Sequence, residues 1–296
     1  MKIQHIVCPV DFSEPSRHAI DHAVMLARWY AASITVLHVY LSVPAAATEL
    51  VRGGAGPGPL LDEYWRVHVR AELDKIIAPA IADGISCDSI AESGSIVDSI
   101  LETADELEGS VIVMGTHGVG GLQHLILGSV TEKVLRKAAC PVMIIPPLAV
   151  GGVPPYRRIL CPIDFSDPSL AALDAATSLA KESGATISLL HVLESPSMDE
   201  PIVNRSFNVP EFTLLRDRDA RARLDEMVPD VLRDTYKPEI AHGKPYREIL
   251  RVAVDEHADL IVMGVHGRNA IEIMLFGSTT NQVARRATCP VMTVRA

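Results

Sequence analysis

Gly115, Gly118, Gly128 and Ser129 stand in the stretch VIVMGTHGVGGLQHLILGSVTEKV, residues 111–134, where an apolar run breaks into glycines and then opens a helix. Glycine tolerates positive φ and lets a backbone approach a ligand with no Cβ in the way. A serine where the helix starts adds its hydroxyl to the unsatisfied N–H groups and to the positive end of the helix dipole. Such a loop suits a phosphate group. No lysine follows Gly128, so this is not the P-loop pattern G-x-x-x-x-G-K-[ST], and the usual means of polarising a terminal phosphate is missing. Binding without efficient transfer is the chemistry implied. The frame recurs in LIVMGVHGRNAIEIMLFGSTTNQV, residues 260–283, as Gly264, Gly267, Gly277 and Ser278. Asp11 in CPVDFS and Asp164 in CPIDFS close a second pair of apolar runs. A purely structural reading stays open: the glycines make turns, the serines are N-caps, and the aspartates cap helix N-termini. Duplication copies turns as faithfully as binding sites.

These residues need elements to hold them, and the chain repeats those elements. Residues 6–39 and 159–192 align without a gap at 18 identities in 34 positions, and residues 111–145 and 260–294 at 16 in 35. The chain is therefore an internal duplication. Each half alternates short apolar runs with longer amphipathic ones. In the first half, strands are expected at 3–10, 33–40, 85–93, 110–115 and 142–145. Helices are expected at 14–30, 60–82, 96–106 and 129–138, the first with Ser13 as N-cap and Pro15 in its first turn. Continuous apolar strands alternating with helices imply a parallel sheet covered on both faces, hence two tandem doubly wound, Rossmann-like α/β domains. Their expected extents are 1–147 and 156–296, with a Pro- and Gly-rich linker at 148–155. Residues 42–59 and 195–212 carry Pro, Gly and polar clusters and read as long loops. In such sheets ligands bind beyond the carboxyl ends of the strands, where the strand order reverses. CPVDFS, the LHV ending the second strand and the glycine loop all map to that end, in both halves.

With 296 residues, 48% of them hydrophobic, the chain can bury two cores. Its net charge is -10, made of 10 basic and 17 acidic residues in 1–150 and 17 and 20 in the remainder. Neither half has the basic balance of a nucleic-acid binder, although backbone N–H groups can hold the phosphates of a single nucleotide in an acidic protein. No apolar segment reaches the roughly 18 residues of a membrane helix and no signal peptide is recognisable, so a cytoplasmic location is expected. Five cysteines without a C-x-x-C read as small buried hydrophobes. His117 and His266 lie inside the glycine loops with no second ligand at metal spacing, so packing or phosphate-facing roles are favoured over a metal site. His38 and His191 read as satisfied core histidines.

The glycine pattern resembles the ATP-binding class of the universal stress protein family, which shows a glycine, two residues, a glycine, nine residues, then Gly-Ser or Gly-Thr. Gly115, Gly118, Gly128 and Ser129 match it, as do Gly264, Gly267, Gly277 and Ser278. The likeness extends to CPVDFS, LHV and the closing CPVMII, and covers nearly all of both halves. The resemblance implies one ATP site per domain, a regulatory role in stress response, and homodimers with a protein partner of unknown kind. It gives Asp11 and Asp164 to the ribose hydroxyls or to a magnesium ion near the phosphates. It gives the backbone of Val39 and Val192 to the adenine edge, and Pro9 and Pro162 to the wall of the adenosine pocket. Arg268, where the first half has Val119, adds a cation beside the second loop, so the two sites need not be equal. A slow ATPase, a nucleotidyl or phosphoryl transferase, and a nucleotide-free interaction scaffold are the alternatives. The missing P-loop lysine and the lack of a paired acid and base in the motifs weigh against an enzyme.

Overall fold

The computed structural model describes residues 1–40, 58–116, 127–147, 156–194, 209–228, 233, 235–265 and 277–296. The linker at 148–155, most of the loops expected at 42–59 and 195–212, and Gly118, Gly267, His117, His266 and Arg268 lie outside these residues. The chain forms two compact units, Lys2–Pro147 and Leu148–Ala296.

In the first unit the strands are β1 (His5–Pro9), β2 (Ser33–Tyr40), β3 (Cys87–Ser93), β4 (Ser110–Gly115) and β5 (Val142–Ile145). The helices are α1 (Glu14–Tyr30), α2 (Gly58–Ala82), α3 (Ile96–Glu106) and α4 (Ser129–Lys137). The strands pair in parallel in the order β3-β2-β1-β4-β5, with His5 opposite Ser33 on one side and Ser110 on the other. The second unit repeats this with β6 (Arg158–Pro162), β7 (Thr186–Leu193), β8 (Tyr236–His242), β9 (Leu260–Gly264) and β10 (Val291–Val294). Its helices are α5 (Asp167–Ser183), α6 (Val209–Met227), α7 (Pro245–Asp255) and α8 (Ser278–Arg286), and its strand order is β8-β7-β6-β9-β10. Each unit is thus a doubly wound α/β domain. Right-handed crossovers put α1 and α2 on one face of the first sheet and α3 and α4 on the other. Sequence order reverses between β1 and β4, and between β6 and β9.

Burial follows position in the sheet. Every residue of β4 and β9 is buried, as a central parallel strand covered on two sides requires, and the four residues of β5 and of β10 are buried as well. The edge strands β3 and β8 are mostly half-buried and carry the polar residues. The first strand is shorter than expected because Ile3, although buried, lies outside the ladder. Cys8, Cys161 and Cys289 are buried and all five thiols are free. Burial pushes the Cys8 thiol up to about 12 and that of Cys289 likewise to about 12, which keeps both protonated and inert.

Candidate functional site

The end of β1 is fixed by a turn that the sequence pattern only half reveals. Ser13 caps α1 by accepting the Ser16 N–H at 3.3 Å, with Pro15 in the first turn. Asp11 does not cap the helix itself. Its Oδ1 accepts the N–H of Ser13 at 3.1 Å and the Ser13 hydroxyl at 2.5 Å, which holds a half-buried carboxylate at the strand end. Asp164 repeats both bonds with Ser166 at 3.1 and 2.5 Å.

Between each Asp and Ser sits a phenylalanine in the left-handed region, Phe12 at φ 65 and Phe165 at φ 64. A bulky side chain there is strained, and the same strain at equivalent places in both units marks a required turn. The rings are held from β2 and β7. Phe12 lies 4.6 Å from the His38 ring and Phe165 4.7 Å from that of His191, centroid to centroid. Each histidine donates from Nδ1 to the carbonyl just before the aspartate, His38 to Val10 at 2.7 Å and His191 to Ile163 at 2.6 Å. A carbonyl only accepts, so Nδ1 carries the hydrogen in both. The histidines expected as satisfied core residues are therefore also struts for the Asp turn. Phe12 and Phe165 were missed as positioning residues, and their repetition inside CPVDFS and CPIDFS was the available signal.

The second strand contributes its backbone. Leu37 gives its carbonyl to the Val10 N–H at 2.8 Å, and Leu190 does the same for Ile163. Two residues on, Val39 and Val192 turn their N–H and C=O groups to the same side, past the points where β1 ends at Pro9 and β6 at Pro162.

On the far side of the order reversal, Gly115 and Gly264 end β4 and β9 and are buried. A Cβ on Gly115 would come within 3.2 Å of the Pro15 backbone, and one on Gly264 within 2.8 Å of Pro168. Close approach of each unit's first helix therefore gives these two glycines a packing role of their own. Their carbonyls accept the buried hydroxyls of Thr131 at 3.0 Å and Thr280 at 2.9 Å. Gly128 and Gly277 are the N-caps of α4 and α8, tied back by N–H bonds to Thr116 O at 2.8 Å and Val265 O at 3.1 Å. Ser129 and Ser278 are thus the first helical residues, exposed, and the glycine at each N-cap has no side chain to bond the helix start. Each unit so presents a carboxylate after one strand and helix N–H donors plus a hydroxyl after another, on either side of the reversal. Among the described residues no group of three or more His, Cys, Asp or Glu side chains could hold a metal ion.

Among the described residues the second unit adds a cation beside its aspartate turn. The Arg223 guanidinium carbon of α6 lies 3.8 Å from the Phe165 ring centroid. No cation lies over Phe12 among the described residues.

The model of the universal stress protein family matches residues 2–146 and again 155–295. A universal stress protein of Mycolicibacterium smegmatis is 28% identical over 299 residues, covering 98% of this chain and 96% of that protein. One of Bacillus subtilis is 34% identical over 140 residues, which span 46% of this chain but 94% of that protein, so it corresponds to one copy of the repeat. The solved structure of a universal stress protein from Archaeoglobus fulgidus matches over 98% of both chains with a TM-score of 0.67 and 24% identity, a likeness of fold. With the family's pattern filling both halves of a duplicated doubly wound chain, this protein belongs to the universal stress protein family as a tandem-domain member.

Proposed function

We propose that the chain is an ATP-binding regulatory protein of the stress response, with one nucleotide site per unit. The observation that carries this reading is the repeated pairing, across each order reversal, of a fixed aspartate with a helix start whose N-cap is glycine. Asp11 and Asp164 would take the ribose hydroxyls, and the backbone of Val39 and Val192 the adenine edge, beside Pro9 and Pro162. Gly128, Ser129, Gly277 and Ser278 would bind phosphate oxygens by N–H and hydroxyl donation, as helix N-termini do. Gly115 and Gly264 would shape the strand ends, and Gly118 and Gly267 complete the phosphate loops. Magnesium would arrive with the phosphates, Asp11 or Asp164 nearby. Homodimerisation and a cytoplasmic location belong to the same proposal; no helix among the described residues is long and apolar enough to cross a membrane.

The test is calorimetric titration of the full chain with Mg·ATP, wild type against Asp11→Asn/Asp164→Asn. Asparagine keeps an acceptor oxygen for Ser13 and Ser166, so the change falls on charge rather than on the turn. Affinity should drop by about tenfold, the loss of one charged hydrogen bond per site, with little change in melting. Equal binding by both proteins, or none by wild type, would sink the proposal.

A further inference from the structure

The α7–α8 face of the second unit inverts the charge of the corresponding face of the first. In the first unit Lys137 of α4 pairs with Asp98 of α3 at 3.8 Å, and Arg136 with Glu132 at 3.9 Å. Lys137 corresponds to Arg286 in the ungapped repeat, and Asp98, third in an 11-residue helix, to Arg247, third in α7. The ion pair has become two arginines. Glu132 has likewise become Asn281, which now accepts from Arg285 at 2.6 Å.

Tyr246 stands between the two arginines. The Arg247 guanidinium carbon is 5.8 Å and that of Arg286 5.5 Å from its ring centroid, and Arg247 Nε donates to the phenol oxygen at 3.1 Å. The hydrogen bond from Arg247, then the charges of Arg247, Arg286 and Lys244, hold the phenol below the ordinary tyrosine range. The only acids on these two helices, Glu248 and Asp255, are both taken by Arg251, at 2.9 and 2.7 Å. Lys244, Arg247 and Arg286 are exposed and have no carboxylate partner among the described residues.

We propose that this face docks an acidic polypeptide segment of a partner protein, through Arg247, Arg286 and Lys244 with the Tyr246 hydroxyl as a further donor. Charge complementarity selects the occupant. Nucleic acid requires a broad basic surface, whereas this patch holds three cations on a chain of net charge -10. A free phosphate would meet exposed, strongly hydrated groups that each contribute little alone. A segment with several carboxylates engages them together, and arginine with tyrosine is the composition of interface anchors. This surface uses none of the residues assigned to the nucleotide.

The experiment is fluorescence anisotropy of the full chain with a labelled Glu-rich peptide and with its Gln-for-Glu counterpart, at low and at about 0.15 M ionic strength. The Glu peptide should bind, weaken with salt, and lose about tenfold in affinity in Arg247→Gln/Arg286→Gln. Arg66→Gln/Lys75→Gln removes the same charge from α2, where both cations already pair with Glu63 and Glu72, and should bind like wild type. The proposal is overturned by no binding of the Glu peptide at low salt, equal binding by the arginine variant, equal loss in the α2 variant, or equal binding of the Gln peptide. Displacement by inorganic phosphate at matched ionic strength overturns it in favour of a small-anion site. Self-association in sedimentation that Arg247→Gln/Arg286→Gln abolishes overturns it in favour of a second copy of this chain.

Discussion

A single carbon added at Gly264 would sit 2.8 Å from the carbonyl carbon of Pro168, whereas at Gly115 the nearest Pro15 atom would be 3.2 Å away. The first distance forces the backbone of α5 to move; the second asks for a shift of a few tenths of an ångström. Gly264→Ala should therefore cost about 1–3 kcal/mol, the usual range for overpacking, and Gly115→Ala clearly less. Urea unfolding of the two variants tests the order, and a Gly115 variant that is the less stable of the pair would show the contact to be wrongly assigned. The example also shows where sequence reasoning falls short. A glycine at a strand end beside a phosphate-like motif suggests a ligand, and nothing in a linear pattern reveals that the first turn of another helix also presses on it. Asp11 and Asp164 were legible, since both recur at strand ends. The Phe12 and Phe165 turns were not, because positive φ in a bulky residue contradicts its intrinsic preference and arises only when the surroundings impose it.

Helix ends carry comparable differences between the copies. α1 ends at Ala31 with φ 52 and α5 at Gly184 with φ 69, both left-handed caps, and both residues send their N–H back into the helix. Glycine adopts this conformation without the Cβ clash that alanine suffers. Ala31→Gly should thus raise the stability of the first unit by up to about 1 kcal/mol, and Gly184→Ala lower that of the second by about 1 kcal/mol, in chemical denaturation. The start of α1 was readable from Ser13 and Pro15, but the cap at Ala31 was not, for alanine gives no stop signal. A second element-level prediction concerns the edge strand β8. Burial, then the charge of Glu256, push the Glu239 carboxyl up. Burial also works on Glu256, but hydrogen bonds from Lys237 and Ser188 outweigh it and hold that carboxyl below its usual range. A raised folded pKa means that the folded state binds the proton more tightly than the unfolded chain. The stabilisation from Glu239 is then complete below its unfolded pKa and disappears as pH rises through the folded value. Glu239→Gln should accordingly stabilise the second unit at pH 7, by about 0.5–1 kcal/mol for a partly exposed pair. The gain should vanish in acid, and melting curves at the two pH values that differ by the same amount would contradict the assignment.

Over the whole chain, duplication gives two sites of one plan that need not be equal, and the described difference is Arg223. Its guanidinium lies over Phe165, the residue that follows Asp164, so the second unit has a cation beside its aspartate turn. Among the described residues the first unit offers Phe12 only the His38 ring. If both units take ATP as proposed, the polyphosphate carries several negative charges into the second site within reach of an exposed arginine, and attraction adds to whatever the helix start of α8 provides. Exposure limits the gain, since solvent and salt screen such a charge within about 8 Å at 0.15 M. An exposed charge contact is typically worth up to about 1 kcal/mol, or roughly fivefold in affinity. Titration of the full chain with Mg·ATP should consequently show two binding events per chain, with the tighter one weakened about two- to fivefold by Arg223→Gln and the other unchanged. Asp11→Asn combined with wild-type Arg223 should leave the Arg223-sensitive event at its wild-type affinity, whereas Asp164→Asn should weaken that event by about tenfold. Raising the salt should bring the two affinities together in wild type, because only one of them includes the guanidinium. Two events that respond equally to Arg223→Gln, or a difference between the sites that survives high salt unchanged, would place the inequivalence elsewhere than at Arg223.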